Sequence, residues 1–293
     1  MRIIHLTDPH LSSLDGVKLR SLRGKRLLGY QSWYRNRRHK YQRHALDKLV
    51  ASVHTDAADL IIVTGDLVHI GLETEFTQAR DWLEILGPPT RVRLVPGNHD
   101  CYHPSSWQAA HRAYSGYLAH APGSEFDSKD PQPGFPWVEQ IDDITLIGAN
   151  SAHPAPWWGA IGTLGDAQRA RLAESLAAHA DAFRILALHH PPLPNSCSRR
   201  KALTDAQALQ TVMQNGQPHI TLHGHLHHNS RLPVPYGYVY CTASASSVRP
   251  SVPASYRRFD IARAGPGWQV QMTLKSLTPN GDITSQREDY QLS

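Results

Sequence analysis

Five times in this chain an apolar run of strand length ends in a short polar block, and that repetition limits the fold more than any other feature. The runs and blocks read RIIHL then TDPH, DLIIV then TGD, RVRLV then PGNHD, RILAL then HHPP, and HITL then HGHLH. Segments of helical period separate them. Leu46, Leu49, Val50 and Val53 share one helical face, and so do Phe76, Ala79, Leu83 and Leu86. Further helices are expected within residues 105–118, 166–179 and 205–214, and a strand pair across 137–150 turning at Asp142-Asp143. Strands alternating with helices predict parallel strands in an α/β arrangement. A β-rich tail from Tyr236 adds antiparallel strands, which either complete a second sheet or form a dimer edge. Open α/β sheets bind ligands beyond the carboxyl ends of their strands, where all five blocks fall.

The blocks are rich in Asp, Asn and His, which offer oxygen and nitrogen donors and no sulfur. That donor set suits borderline divalent metals such as Mn, Fe or Zn, and metal supply decides among them. Two residues two apart on an extended stretch, as in Asp8-Pro9-His10 and His225-Leu226-His227, face the same side. Gly65, Gly97 and Gly224 are expected to let the chain turn sharply after each strand. Seven candidate ligands are more than one ion uses, so a two-metal centre is expected.

In this order the blocks, D-x-H, G-D, G-N-H-D, H and G-H-x-H from residue 8 to residue 227, resemble those of the calcineurin-like metallophosphoesterases. The resemblance implies a four-layer αββα sandwich, with two mixed sheets flanked by helices, and two divalent metal ions. It implies that Asp8, His10 and His227 bind one ion, that Asn98, His189 and His225 bind the other, and that Asp66 bridges them. His99 would face the scissile phosphate as the catalytic side chain. Asp100 would support it as a hydrogen-bonded carboxylate. The implied reaction is attack on phosphorus by a hydroxide bridging the metals, with no protein nucleophile.

The HHPP form of the fourth block and the stretch GTLGDAQRARL look like the bacterial cyclic-nucleotide phosphodiesterase branch. A phosphodiesterase acting on a small diester such as a cyclic nucleotide is therefore the leading expectation. One alternative is a lipid-linked nucleotide pyrophosphatase resembling the UDP-2,3-diacylglucosamine enzymes. The other is a phosphoesterase-fold scaffold without catalysis.

Charge bears on that choice. Residues 17–43 hold ten basic and no acidic side chains, interleaved with Leu19, Leu22, Leu27, Leu28, Tyr30, Trp33, Tyr34 and Tyr41. The net charge of the whole chain is only +5, so everything outside this segment is net acidic. A basic-aromatic insert suits an anionic membrane surface or lipid. A loop with a turn or two of helix packed on the body is the other reading, and nucleic acid is the least favoured partner. Trp157-Trp158 is read either as a packed loop anchor or as a platform for a base or sugar. Residues 122–136 are expected to form a loop.

The remaining histidines, His5, His39, His44, His54, His69, His103, His111, His120, His153, His179, His219, His223 and His228, are read as surface or satisfied structural residues. His190 is held as a second-layer neighbour of the ligands. Three cysteines argue against a disulfide framework, and no apolar run approaches the length of a membrane span. The N-terminus lacks a signal-peptide layout. The expectation is a single domain over residues 1–293 in the cytoplasm, peripheral to the inner membrane if the insert meets lipid, with the oligomeric state open.

Overall fold

A computed structural model of the chain describes residues 1–11, 13–18, 20, 22–118 and 134–292. Leu19, His120 and the part of the expected 122–136 loop up to residue 133 lie outside the described residues.

The apolar runs form the parallel strands β1 (Arg2–Leu6), β2 (Leu60–Val63), β3 (Val92–Leu94), β6 (Phe183–Ala187) and β7 (Ile220–His223). Helices α2 (Arg43–Thr55), α3 (Glu73–Leu86), α4 (Pro104–Tyr114), α5 (Asp166–Ala178) and α6 (Ala206–Gly216) stand where the periodicity predicts them. The strand pair is β4 (Trp137–Ile141) and β5 (Ile144–Gly148), turning through Asp142, whose φ is 51°. The insert contributes a helix, α1 (Lys25–Arg35), and a 3-10 turn over Arg37–His39.

Among the described residues the strands make two mixed six-stranded sheets. The first runs β14-β13-β12-β1-β2-β3 and the second β4-β5-β6-β7-β9-β8. Of the tail, β8 (Ser230–Val234) and β9 (Gly237–Cys241) complete the second sheet. The long strands β12 (Ser255–Ala264), β13 (Gly267–Leu277) and β14 (Ile283–Leu292) instead widen the first sheet, through the antiparallel β1–β12 pairing. A two-stranded ribbon, β10 (Val248–Arg249) with β11 (Val252–Pro253), lies between them in sequence.

The sheets face each other. Phe183 of β6 meets Trp268 of β13 edge to face at 5.1 Å, and Tyr240 of β9 meets Phe259 of β12 at 5.2 Å. Alternation along one strand sorts side chains to opposite faces. Ile185 and Ala187 of β6 join the core between the sheets, while Leu186 and Leu188 pack outward with Leu172 and Leu176 of α5 and Leu209 and Met213 of α6. Helices α2, α3 and α4 bury their apolar faces in the same core as the first sheet. The expected sandwich of two mixed sheets flanked by helices is therefore what the chain forms.

Candidate metal centre

All five polar blocks emerge at the carboxyl ends of parallel strands, three from the first sheet and two from the second. Facing sheets bring those ends together. Asp8 and His10 follow β1, Asp66 follows β2, Asn98 and His99 follow β3, His189 follows β6, and His225 and His227 follow β7. Asp8, His10, Asp66, Asn98, His189 and His225 are buried, and His227 is half-buried.

The donor atoms gather in two groups sharing Asp66. One holds Asp8, His10, Asp66 and His227, with His227 Nε2 2.8 Å and His10 Nε2 4.0 Å from Asp8 Oδ1. The other holds Asp66, His189 and His225. Its hub is His189 Nε2, which lies 3.4 Å from Asp66 Oδ2, 3.1 Å from Asn98 Oδ1 and 3.2 Å from His225 Nδ1. The seven predicted ligand residues are thus all together.

The backbone that aims them departs from expectation. The D-x-H and H-x-H stretches are not extended: φ is 51° at Asp8, 43° at His10, 66° at His225, 54° at His227 and 58° at Asp66. Left-handed conformations cost non-glycine residues free energy and cluster at functional sites. Here hydrogen bonds lock them. Asp8 N–H donates to the Gly65 carbonyl at 3.0 Å, His10 N–H to the Asp66 carbonyl at 3.1 Å, and His225 N–H to Asp8 Oδ2 at 3.0 Å. Of the three motif glycines, only Gly65 has a left-handed φ, at 81°. Gly97 and Gly224 serve close approach instead: a Cβ on Gly224 would lie 2.0 Å from Thr7 Oγ1, and one on Gly97 2.3 Å from Asp66 Oδ1.

Asp100 is placed differently from expectation. Its carboxylate does not hold His99. It accepts the backbone N–H groups of Asp66 (2.8 Å), Leu67 (3.1 Å) and Gly97 (2.8 Å), and the Tyr114 hydroxyl (3.1 Å). It therefore ties the second block to the third. Burial and the nearby charge of Asp66 push the Asp100 carboxyl up to about 7. His99 Nδ1 donates to the His69 carbonyl, and its ring stacks on Tyr102 at 5.5 Å.

Burial holds the imidazoles of His10 and His225 well below their ordinary value, hence neutral. Burial opposes the charge on Asp8 too, but His227, which hydrogen-bonds it, and His189 prevail and keep it ionised. Neutral imidazole and carboxylate are the forms that bind divalent cations. Burial disfavours the charged form of His189, but Asp66 pushes it up to about 9. The donor set passes a direct test of fit: His10 Nε2, which faces Asp8 Oδ1 in the first group, is buried with no hydrogen-bond partner, a costly state that a cation relieves.

Three neighbours were missed in the sequence. Tyr41 of the insert lies with its hydroxyl 2.6 Å from His227 Nδ1, in the position that orients a ligand histidine. Arg37 Nη1 lies 3.4 Å from His99 Nδ1. His69, expected among structural residues, stacks on His10 at 5.1 Å and supplies the carbonyl that holds His99. A signal for the first two existed, since the insert follows the first block directly, but nothing in the sequence aims those side chains. His190 takes its expected second-layer place, bonded to Ser151 Oγ at 2.8 Å and 4.5 Å from the His225 ring. His5 is buried and satisfied between Thr64 and Thr242. Cys101, Cys197 and Cys241 are free thiols. Trp157 is 72% exposed and Trp158 49%, so the pair is not a packed anchor. Among the described residues no helix is long and apolar enough to cross a membrane.

Comparison with known proteins places this geometry. A family profile described as calcineurin-like phosphoesterase matches residues 1–229, which contain all five blocks. Over 231 residues the chain is 27% identical to the 3',5'-cyclic adenosine monophosphate phosphodiesterase CpdA of Escherichia coli, covering 78% of this chain and 70% of that one. It is 31% identical over 176 residues to a cAMP/cGMP dual specificity phosphodiesterase of Mycobacterium tuberculosis, covering 59% of this chain and 49%, about half, of that relative. Among solved structures, purple acid phosphatase PPD1 of yellow lupin (Lupinus luteus) superposes with a TM-score of 0.58 at 10% identity, covering 100% of this chain and 53% of that one, which shows a shared fold. With the profile spanning most of the chain and every ligand block, the chain belongs to the calcineurin-like phosphoesterase family.

Proposed function

We propose that this protein hydrolyses a small phosphodiester, a cyclic nucleotide being the leading candidate, at a two-metal centre. Asp8, His10 and His227 would hold one divalent cation, Asn98, His189 and His225 the other, and Asp66 would serve both. The observation that carries this reading is the convergence of the five blocks into two donor groups sharing one carboxylate. Relatives named as cyclic-nucleotide phosphodiesterases support the substrate class. Two bound cations would supply Lewis-acid activation of water and a clamp on phosphoryl oxygens. An oxygen and nitrogen donor set fits Mn, Fe or Zn.

The chain's own side chains do the rest. Asp8 and Asp66 bring negative charge that balances part of the cations' charge, leaving a site matched to an anionic ester. His99 is the proton carrier for the leaving oxygen. Its Nδ1–H is committed to the His69 carbonyl, so Nε2 is the nitrogen that exchanges a proton. Burial, with Arg37 and His10 nearby, keeps His99 neutral without substrate. An anionic phosphoryl group beside it acts the other way and favours the imidazolium.

A lipid-linked nucleotide diphosphate is the second reading, favoured by one observation. Leu28 and Tyr34 of α1 and Trp157 and Trp158 stand exposed, and Lys25 Nζ ties α1 to the tryptophan loop through the Ala155 carbonyl at 2.9 Å. Such a face suits peripheral contact with an anionic membrane. Manganese-reconstituted protein offered cyclic AMP together with a lipid-linked uridine diphosphate should release AMP. Release of UMP and the lipid phosphate would instead establish the second reading. Release of neither, with two metals bound, would overturn both.

A further inference from the structure

We propose that Arg37, carried by the basic insert, anchors the phosphoryl group of the substrate beside His99. The proposal rests on the phosphoesterase reading above and adds to it a residue from outside the five blocks. Arg37 opens the 3-10 turn directly after α1 and is half-buried. Its Nη1 faces His99 Nδ1 at 3.4 Å. That nitrogen already donates its hydrogen to the His69 carbonyl, so it offers the guanidinium no lone pair. Of these two adjacent donors, His99 Nδ1 has its acceptor in the His69 carbonyl, which leaves the guanidinium to be matched.

Neighbouring cations in the insert have found partners. Arg26 donates to the Gly71 carbonyl at 2.6 Å and to the Ile70 carbonyl at 3.3 Å. Lys25 donates to the Ala155 carbonyl. Arg38 lies over the Tyr34 ring at 3.8 Å, and Arg43 pairs with Asp47 at 2.7 Å. Arg37 has no carboxylate within ion-pair distance among the described residues. Its charge nonetheless acts on the site, disfavouring the protonated forms of His10 and His99.

The position is also fixed before substrate arrives. Arg26 and Lys25 pin α1 to the body, and the Tyr102 hydroxyl donates to the Lys25 carbonyl at 3.0 Å. Gly29 lets the helix approach so closely that a Cβ there would lie 2.3 Å from that hydroxyl. A guanidinium offers paired donors matched to two phosphoryl oxygens and stays charged at any working pH. No acidic side chain in residues 17–43 competes for it.

The test uses the full chain loaded with Mn²⁺ and inorganic phosphate as probe. Phosphate binding is measured by calorimetry, alongside metal content, melting temperature and hydrolysis of bis(p-nitrophenyl) phosphate. R37Q should weaken phosphate binding by about 10- to 100-fold and raise KM in step, with metal content and melting temperature unchanged. Phosphate binding equal to wild type would overturn the proposal. If R37Q loses metal or unfolds, R37A with added guanidinium decides. Recovery of phosphate affinity supports the anchor, and no recovery overturns it. A wild-type protein that binds phosphate through Arg37 yet hydrolyses no diester would sink the phosphodiesterase reading while leaving the anchor standing.

Discussion

The ligand edge and the basic insert meet at one site but are held there by different physics. The ligand edge hangs from parallel strands of two sheets whose facing side chains form one continuous core. It keeps five non-glycine residues in left-handed conformations, a cost that only a stiff surround sustains. The insert rests on a separate, small cluster, Leu14, Leu22, Trp33, Ile70 and Tyr102, and on a few side-chain bonds to carbonyls. The comparison teaches that the donor groups are built into the frame, whereas the side chains the insert adds beside them, Tyr41 and Arg37, come from an element with its own small core. Regions held by few buried contacts open more readily than the global fold.

The sharpest break would come at Asp66, which both donor groups share. Asp66→Ala should lower kcat/KM by more than about 1000-fold, roughly 4 kcal/mol of transition-state stabilisation, and lower bound metal at both positions. Elemental analysis showing two metals retained would remove Asp66 from the bridging position. Next in size is Trp33→Ala, which empties the insert's small core and should cost about 3 kcal/mol locally. Hydrogen exchange should then rise across Lys25–Arg35 while β1 and β2 stay protected. Equal loosening of all three would make insert and frame one cooperative unit.

Tyr41→Phe probes the join between the regions. Losing the hydroxyl beside His227 should weaken metal affinity by about 10- to 100-fold with the melting temperature held. Unchanged affinity would mean that the frame alone orients His227.

The smallest effect concerns acid. Burial opposes the charge on Asp56, but Lys275 at 2.6 Å, Tyr256 at 2.6 Å and Arg258 at 3.0 Å hold its carboxyl below the ordinary value. Its stabilisation is therefore present above the unfolded carboxylate value and is lost as pH falls through the folded one. Wild type should lose about 1 kcal/mol more than Asp56→Asn on acidification below about pH 4. The bonds that dock α1 run to carbonyls and serine hydroxyls, so hydrogen exchange across α1 should not share that sensitivity. A parallel response would erase the distinction.

Much of the frame was legible because hydrophobic period is a local property. Leu46, Leu49, Val50 and Val53 bury one face of α2 as their spacing predicts, RIIHL is β1, and LIIV of the expected DLIIV is β2. The candidate ligand residues were legible as a group that the fold brings together, because each block follows its strand directly. Two physical reasons offered for them were not. Asp8 and His10 share a direction through left-handed backbone rather than extension, and Asp100 reaches backbone donors rather than His99. Both depend on partners from other blocks. The tail was legible as β-structure but not as strands that widen the first sheet, because either sheet had an edge to offer.

By itself, then, the sequence determined which residues can be strands, which polar blocks end them and which donor chemistry they bring, since each follows from neighbours along the chain. Only the tertiary structure decided that two sheets press those ends into donor groups sharing Asp66. It also decided that Arg37 and Tyr41 lie against His99 and His227, 62 and 186 residues away in the chain. The physical reason is distance in sequence: a local pattern can specify an element and its face, but the contact between two elements exists only after the core has closed around both.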